Sequence, residues 1–102
     1  MRVSSREFLL ELYVSREAEA VVRGTSERAR SAADELTRAG TPVRCVCSIF
    51  VPEDETCFLL YEADSIGVVQ EAASRAGLSF ERIAGAKYVS MSHFVYAASP
   101  RR

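Results

Sequence analysis

The chain alternates between stretches with a two-residue apolar period, typical of β-strands, and stretches with a period of three to four, typical of α-helices. Residues 7–14 carry apolar side chains at every second position, which predicts a half-buried strand. Apolar residues then recur at helical spacing through about residue 39, with arginines and acids on the other side. Ser15 is a candidate N-cap for this helix. Gly24 predicts a kink or a break, because glycine costs about 1 kcal/mol inside a helix.

The second half of the chain repeats the alternation between strands and helices. Two strands are predicted at 44–51 and 56–63, joined by an acidic turn. A second helix is predicted to begin at Asp64 or Ser65 and to end at Gly77. Together with the first strand and helix, these elements give the order β-α-β-β-α before the last strand.

The last strand is predicted at 81–91, where Gly85 suggests a bulge. Residues from about 88 to 96 are still β-like, and they either extend this strand or form an extra edge strand. Residues 97–102 are predicted to be a disordered tail. Residues 1–96 are therefore expected to form a single domain.

The order β-α-β-β-α-β predicts an α+β fold, the ferredoxin-like sandwich. In this fold two helices cover one face of a four-stranded antiparallel sheet, and right-handed crossovers connect the strands. Strand alternation then divides the side chains between the two faces. Those expected against the helices are Phe8, Leu10, Leu12, Val46, Phe50, Phe58 and Leu60. Those expected on the open face are Leu9, Glu11, Tyr13, Cys45, Cys47, Ile49, Cys57, Leu59 and Tyr61.

The predicted open face is too apolar to face water, and an apolar patch of this size usually marks an interface or a ligand site. The simplest cover is a second subunit, packed sheet against sheet as a two-fold dimer. The sequence therefore predicts a homodimer of the dimeric α/β-barrel type. A small molecule bound at this face is the second expectation.

Composition excludes several classes of partner. The formal net charge is −1, which gives no general attraction for nucleic acid or an anionic membrane. The N-terminus lacks the continuous apolar run of a signal peptide, and no apolar run is long enough to span a bilayer. Three cysteines without such a signal favour reduced thiols and a cytoplasmic protein.

Three segments carry a resemblance to a known family: EFLLELYVSR, GTPVRCVCSIFVPEDETCFLLYEA and ASRAGLSFERI. Together they resemble a family of small bacterial ferredoxin-like proteins of largely unknown function, whose best-described branch is a nickel-binding protein. The resemblance covers roughly residues 7–84. It implies a ferredoxin-like domain that dimerises, and it admits nickel as a ligand.

The chain departs from the nickel-binding branch at the metal positions. That branch has an Asp-x-His pattern in the first strand, where this chain has Glu11-Leu12-Tyr13. The branch also has a histidine next to the Ala-Gly that ends the second helix, where this chain has Leu78. The resemblance therefore carries over no intact set of metal ligands, and no cofactor is indicated by the residues themselves.

Glu11 is the candidate acid or base. A carboxylate on an enclosed apolar face has a raised pKa and suits proton transfer, with Tyr13 and Tyr61 positioned to polarise a substrate. The structural alternative is a rim residue paired with Arg44 or Lys87. His93, the only histidine, joins this site if the C-terminal segment folds over the face.

The apolar lining of the expected pocket consists of Leu9, Cys45, Cys47, Ile49, Cys57 and Leu59. The cysteines are interpreted as small apolar fillers, since zinc favours CxxC turns over an in-strand CxC. Three functional hypotheses follow. The first is a module that binds a small apolar metabolite or a divalent metal. The second is a cofactor-independent isomerase, cyclase or monooxygenase-like enzyme, and the third is a dimerisation module without a pocket.

Overall fold

The computed structural model describes residues 6–87 and confirms the ferredoxin-like arrangement. The elements in chain order are β1 (Arg6–Tyr13), α1 (Glu19–Arg38), β2 (Val43–Val51), a 3₁₀ turn (Pro52–Asp54), β3 (Thr56–Ala63), α2 (Ile66–Arg75) and β4 (Arg82–Ala86). The strands form one antiparallel sheet in the order β2-β3-β1-β4. The predicted strand beyond residue 87, the β-like extension, the tail and His93 lie outside the described residues.

The first helix is continuous, so the predicted break at Gly24 is wrong. Five small or apolar side chains of α1 are buried against the sheet: Thr25, Ala29, Ala32, Ala33 and Leu36. Their packing outweighs the roughly 1 kcal/mol that a glycine costs in a helix. Ser15 is not the N-cap, because α1 begins after Ala18 and the Ser15 hydroxyl donates to Glu17 Oε1 at 3.1 Å.

The second helix has the predicted ends. The Ser65 hydroxyl accepts a hydrogen bond from the Val68 N–H, which caps α2. Gly77 follows the helix with φ of +73°, a left-handed conformation that glycine adopts without steric cost. Gly40 ends α1 in the same way, with φ of +105°. These two glycines turn the chain back toward the sheet.

The face assignment was correct for β1 and wrong for β3. Phe8, Leu10 and Leu12 are buried against the helices, as predicted. Their cross-strand partners on β3 are Tyr61, Leu59 and Cys57, so these side chains share the helix side and are fully buried. Phe58 and Leu60 consequently lie on the open face.

A bulge in β2 changes the face of Cys45. The β2–β3 register shifts between Cys45 and Cys47, so Val46 is an extra residue in the strand and is half-buried. Cys45 pairs with Tyr61 on the helix side, whereas Cys47 pairs with Leu60 on the open face. The two thiols therefore point to opposite faces rather than to one.

The predicted bulge in β4 is absent. The β1–β4 register runs without a shift from Glu7 opposite Ala86 to Glu11 opposite Arg82. Gly85 sits opposite Phe8 in this regular ladder. No helix among residues 6–87 has the length and apolarity needed to cross a membrane.

Candidate functional site

The open face of the sheet has an apolar centre and charged side chains near two of its corners. Its two central rows across the sheet are Cys47-Leu60-Leu9-Ala84 and Ile49-Phe58-Glu11-Arg82. Ile49 is 54% exposed, whereas Leu60 is buried outside the helix-side core. Leu9, Glu11, Tyr13, Cys47 and Ile49 therefore occupy the face predicted for them.

Two ion pairs mark the charged corners of this face. Arg44 Nε lies 3.2 Å from Glu62 Oε1, at the end of the sheet where β3 leads into α2. Arg82 Nη1 lies 3.7 Å from Glu11 Oε1, on the β4 side. Each corner carries both signs of charge, and both pairs are partly exposed to solvent, which limits their contribution to stability.

The predicted acid–base group is not assembled by the fold. Glu11 pairs with Arg82 rather than with Arg44 or Lys87. Tyr13 is exposed at the end of β1, while Tyr61 lies on the opposite face of the sheet. The fold thus separates Tyr61 from Glu11 and Tyr13, which share the open face.

The positions that correspond to metal ligands in the nickel-binding branch do not converge. Glu11 and Tyr13 are on the open face, and Leu78 is buried in the core on the helix side. Within residues 6–87, no group of three His, Cys, Asp or Glu side chains is placed to hold a metal ion. Within one subunit, the described residues therefore do not assemble a nickel site of that type.

A groove with polar walls lies between α1 and the edge strand β2. It has a volume of about 430 Å³ and is lined by Ser26, Arg30 and Asp34 of α1 and by residues 44–48 of β2. A wider hollow of about 850 Å³ adjoins it, sharing Ser26 and Ser48. We call the two together the α1–β2 groove.

The shared boundary of the two hollows is a pair of hydroxyls. Ser26 Oγ lies 2.7 Å from Ser48 Oγ and 2.8 Å from the Val22 carbonyl oxygen, to which it donates. Because a serine hydroxyl has one proton, Ser48 is the donor in the hydroxyl pair. This contact ties the middle of α1 to β2 and fixes the width of the groove at that point.

Cys45 forms part of the groove wall, and its thiol is neutral at physiological pH. Burial, with a smaller effect from the neighbouring Cys47, raises the pKa of Cys45 to about 11, although the charge of Arg30 acts in the opposite direction. Burial also raises the pKa of Cys57. With these raised pKa values, neither thiol has the thiolate character that a nucleophile needs at neutral pH.

Tyr61 lies behind Cys45, inside the protein. Its side chain has no exposed surface, and its hydroxyl has no hydrogen-bond partner among the described residues. Burial, with a smaller effect from Cys45, raises the pKa of Tyr61. A buried hydroxyl without a partner destabilises the fold, so this position is a weak point next to the groove.

The groove residues of α1 were not singled out as a site from the sequence. Arg23, Ser26, Arg30 and Asp34 recur at intervals of three and four residues, which places them on one helix face. That spacing is the sequence feature from which the groove side of α1 could have been recognised. Arginines and acids together on one side of a helix are the ordinary pattern of a solvated face, so the spacing does not single these residues out.

Comparison with known proteins supports the fold. No protein-family model matches the chain, and no curated protein matches it either. The structure is similar to the crystal structure of SCO4226 from Streptomyces coelicolor A3(2), with a TM-score of 0.68 and 15% sequence identity. The match covers 82% of this chain and 99% of that one. At this identity the likeness shows a shared fold.

Proposed function

We propose that this protein is a homodimeric ligand-binding module. The open sheet face joins two copies, and the α1–β2 groove of each subunit takes a small molecule. The observation that carries the proposal is the separation of the two surfaces. The apolar surface is on one side of the sheet, and the polar-walled cavity is at its edge on the other side.

A second copy of the chain is the occupant that fits the open face. Leu9, Ile49 and Phe58 are the apolar side chains at its centre that still have exposed area, and apolar area removed from water stabilises an interface by roughly 25 cal/mol per Å². Each charged corner carries both an acid and an arginine. A two-fold related copy can therefore set these arginines against acids of the other subunit.

The α1–β2 groove suits a small molecule in size and position. Ligand cavities are typically about 300–1,000 Å³, and the narrower hollow alone is about 430 Å³. The α1 wall of the groove lies on the helix side of the sheet, although Arg44 and Cys47 belong both to the groove lining and to the open face. A dimer formed through the open face therefore leaves the α1 side of the groove accessible. A dimer can thus form through the open face while each subunit binds a ligand in its groove.

Sedimentation velocity of the full chain tests the dimer. Ile49→Lys puts a charge in the centre of the open face, and Val21→Lys puts the same charge on α1, where the native valine is similarly exposed at 51%. We expect a dimer for the native protein and for Val21→Lys, and a monomer for Ile49→Lys. A native monomer, or a dimer that tolerates Ile49→Lys, would overturn this part of the proposal.

Thermal shift with small apolar metabolites and, separately, with Ni²⁺ tests ligand binding. Compounds that raise the melting temperature are then mapped by backbone amide chemical shifts. We expect perturbations at the groove residues Arg30, Cys45 and Ser48. Stabilisation by Ni²⁺ alone would replace the proposal with a metal-binding function, and shifts confined to the open face would move the ligand there.

A further inference from the structure

Two arginines of α1 face the groove without partners. Among residues 6–87, four arginines form ion pairs with acids: Arg16, Arg44, Arg75 and Arg82. Arg6 and Arg28 donate to backbone carbonyls. Arg30 lines the narrower hollow and Arg23 the wider one, and neither has an ion-pair or hydrogen-bond partner within the described chain.

The charges along this side of α1 are ordered. Glu19 lies at one end of the groove and Asp34 at the other, with Arg23 and Arg30 between them. The two arginines are seven residues apart, which places them on one helix face about 10 Å from each other. Arg44 also lines the groove, but Glu62 already neutralises it. The unpaired positive charge is therefore confined to the middle of the groove.

We propose that the α1–β2 groove binds a small monocarboxylic acid with an apolar body, its carboxylate on Arg30. This inference rests on the proposed function, because it names the ligand class of the same groove. A guanidinium binds a carboxylate through two parallel hydrogen bonds. Since Arg30 has no protein acceptor among residues 6–87, it can form both with a ligand.

The walls of the groove fit the rest of such a molecule. Beyond the Ser26–Ser48 contact, Val22, Phe50 and Pro52 give the wider hollow an apolar surface. Cys45 and Val46 line the narrower hollow without negative charge, the thiol being protonated at neutral pH. The acids at both ends repel a long polyanion, which limits the ligand to a short molecule with one negative group.

Titration with paired probes tests the assignment. Hexanoate and benzoate carry the carboxylate, and hexanamide and benzamide have the same body without charge. The dissociation constants are obtained from the chemical shifts of the protein's backbone N–H groups, measured for the full chain at low ionic strength. We expect the acids to bind at least about 10-fold more tightly than the amides, because a carboxylate forms charge-assisted hydrogen bonds with a guanidinium that a neutral amide does not.

Substitutions of α1 arginines separate a specific contact from general charge. Arg30→Gln should weaken hexanoate and benzoate by about 10-fold or more and leave the amides unchanged. Arg38→Gln removes the same charge from the last turn of α1, outside the groove lining, and should change neither. Equal losses in the two variants would show that only net charge matters and would overturn the assignment.

The outcomes also distinguish this inference from the proposal on which it rests. If amides and acids perturb the groove equally, and Arg30→Gln has no effect, the groove binds ligands but the carboxylate assignment is wrong. If no probe perturbs the groove at millimolar concentration, the carboxylate assignment is overturned. If metabolites in the thermal-shift screen also leave the groove unperturbed, ligand binding there fails with it. Inorganic phosphate binding more tightly than either acid would replace the carboxylate with a phosphate.

Discussion

Tyr61 and Cys45 are cross-strand partners on the helix side of the sheet, and the tyrosine hydroxyl is buried beside the thiol without a hydrogen-bond partner among residues 6–87. The thiol is a weak acceptor, so it offers little compensation. The unpaired hydroxyl therefore lowers the free energy of unfolding of the ligand-free protein.

Tyr61→Phe should stabilise the fold. It keeps the ring that fills the core and removes the unpaired hydroxyl, whose burial costs about 1–3 kcal/mol. We expect the free energy of unfolding to rise by about 1 kcal/mol, measured by guanidinium titration, and the melting temperature to rise by about 4–8 °C.

Tyr13→Phe is the control for this substitution, since Tyr13 is 57% exposed and its hydroxyl reaches solvent. It should leave the stability within about 0.5 kcal/mol of the native value. A loss of stability in Tyr61→Phe would contradict the prediction and would show that the hydroxyl has a partner, such as a bound water.

The protein should lose stability in mildly alkaline solution. The pKa of Cys45 rises on folding from an ordinary value of 9.0 to about 11, so the folded state keeps a proton that the unfolded state releases. The stabilisation is complete below pH 9 and disappears as the pH rises toward 11. Each unit by which the pKa differs between the folded and unfolded states corresponds to about 1.4 kcal/mol in the free energy of unfolding.

Guanidinium midpoints measured between pH 7 and the alkaline range check this dependence. Cys45→Ala removes the titrating thiol, so its stability should fall less steeply with pH than that of the native protein. The decline should not vanish, because burial also raises the pKa of Cys57 and Tyr61. Identical slopes for the two proteins would contradict the assignment to Cys45.

Alkylation should distinguish the three thiols by their faces. Cys47 is exposed on the open face, Cys45 is half-buried with a raised pKa, and Cys57 is fully buried. Iodoacetamide at neutral pH should modify Cys47 first, with mass spectrometry after proteolysis giving the order. Because the proposed dimer covers the open face, dilution should accelerate this reaction. Faster modification of Cys45 would contradict the bulge-dependent placement.

Two glycines should respond oppositely to replacement by alanine. Gly24 is inside α1, where an added Cβ meets only Arg28 Nη1 at 4.0 Å, so Gly24→Ala should stabilise by about 0.5–1 kcal/mol. Gly77 has φ of +73°, so Gly77→Ala should destabilise by about 1 kcal/mol or more. Thermal melts of the two variants check both signs, and equal shifts would contradict them.

The face assignments show where local pattern stops being informative. In β1, Phe8, Leu10 and Leu12 alternate with a set that includes Glu11, so the buried face was evident from the sequence. In β3 both alternating sets are apolar, and Cys57-Leu59-Tyr61 competes with Phe58-Leu60. The register that pairs Tyr61 with Phe8 decided which of the two sets is buried. This pairing joins two strands, so the sequence of either strand alone does not reveal it.

The sequence by itself determined the order of the elements, the ends of α2 and the ferredoxin-like topology, because periodicity, capping and turn residues act over a few positions. The tertiary structure alone decided which way β3 faces and where the bulge falls. It also decided that Arg23 and Arg30 flank a groove and that Tyr61 is separated from Glu11. These features depend on pairing between distant segments, and the free energy that selects one register comes from side chains that meet only in the folded protein.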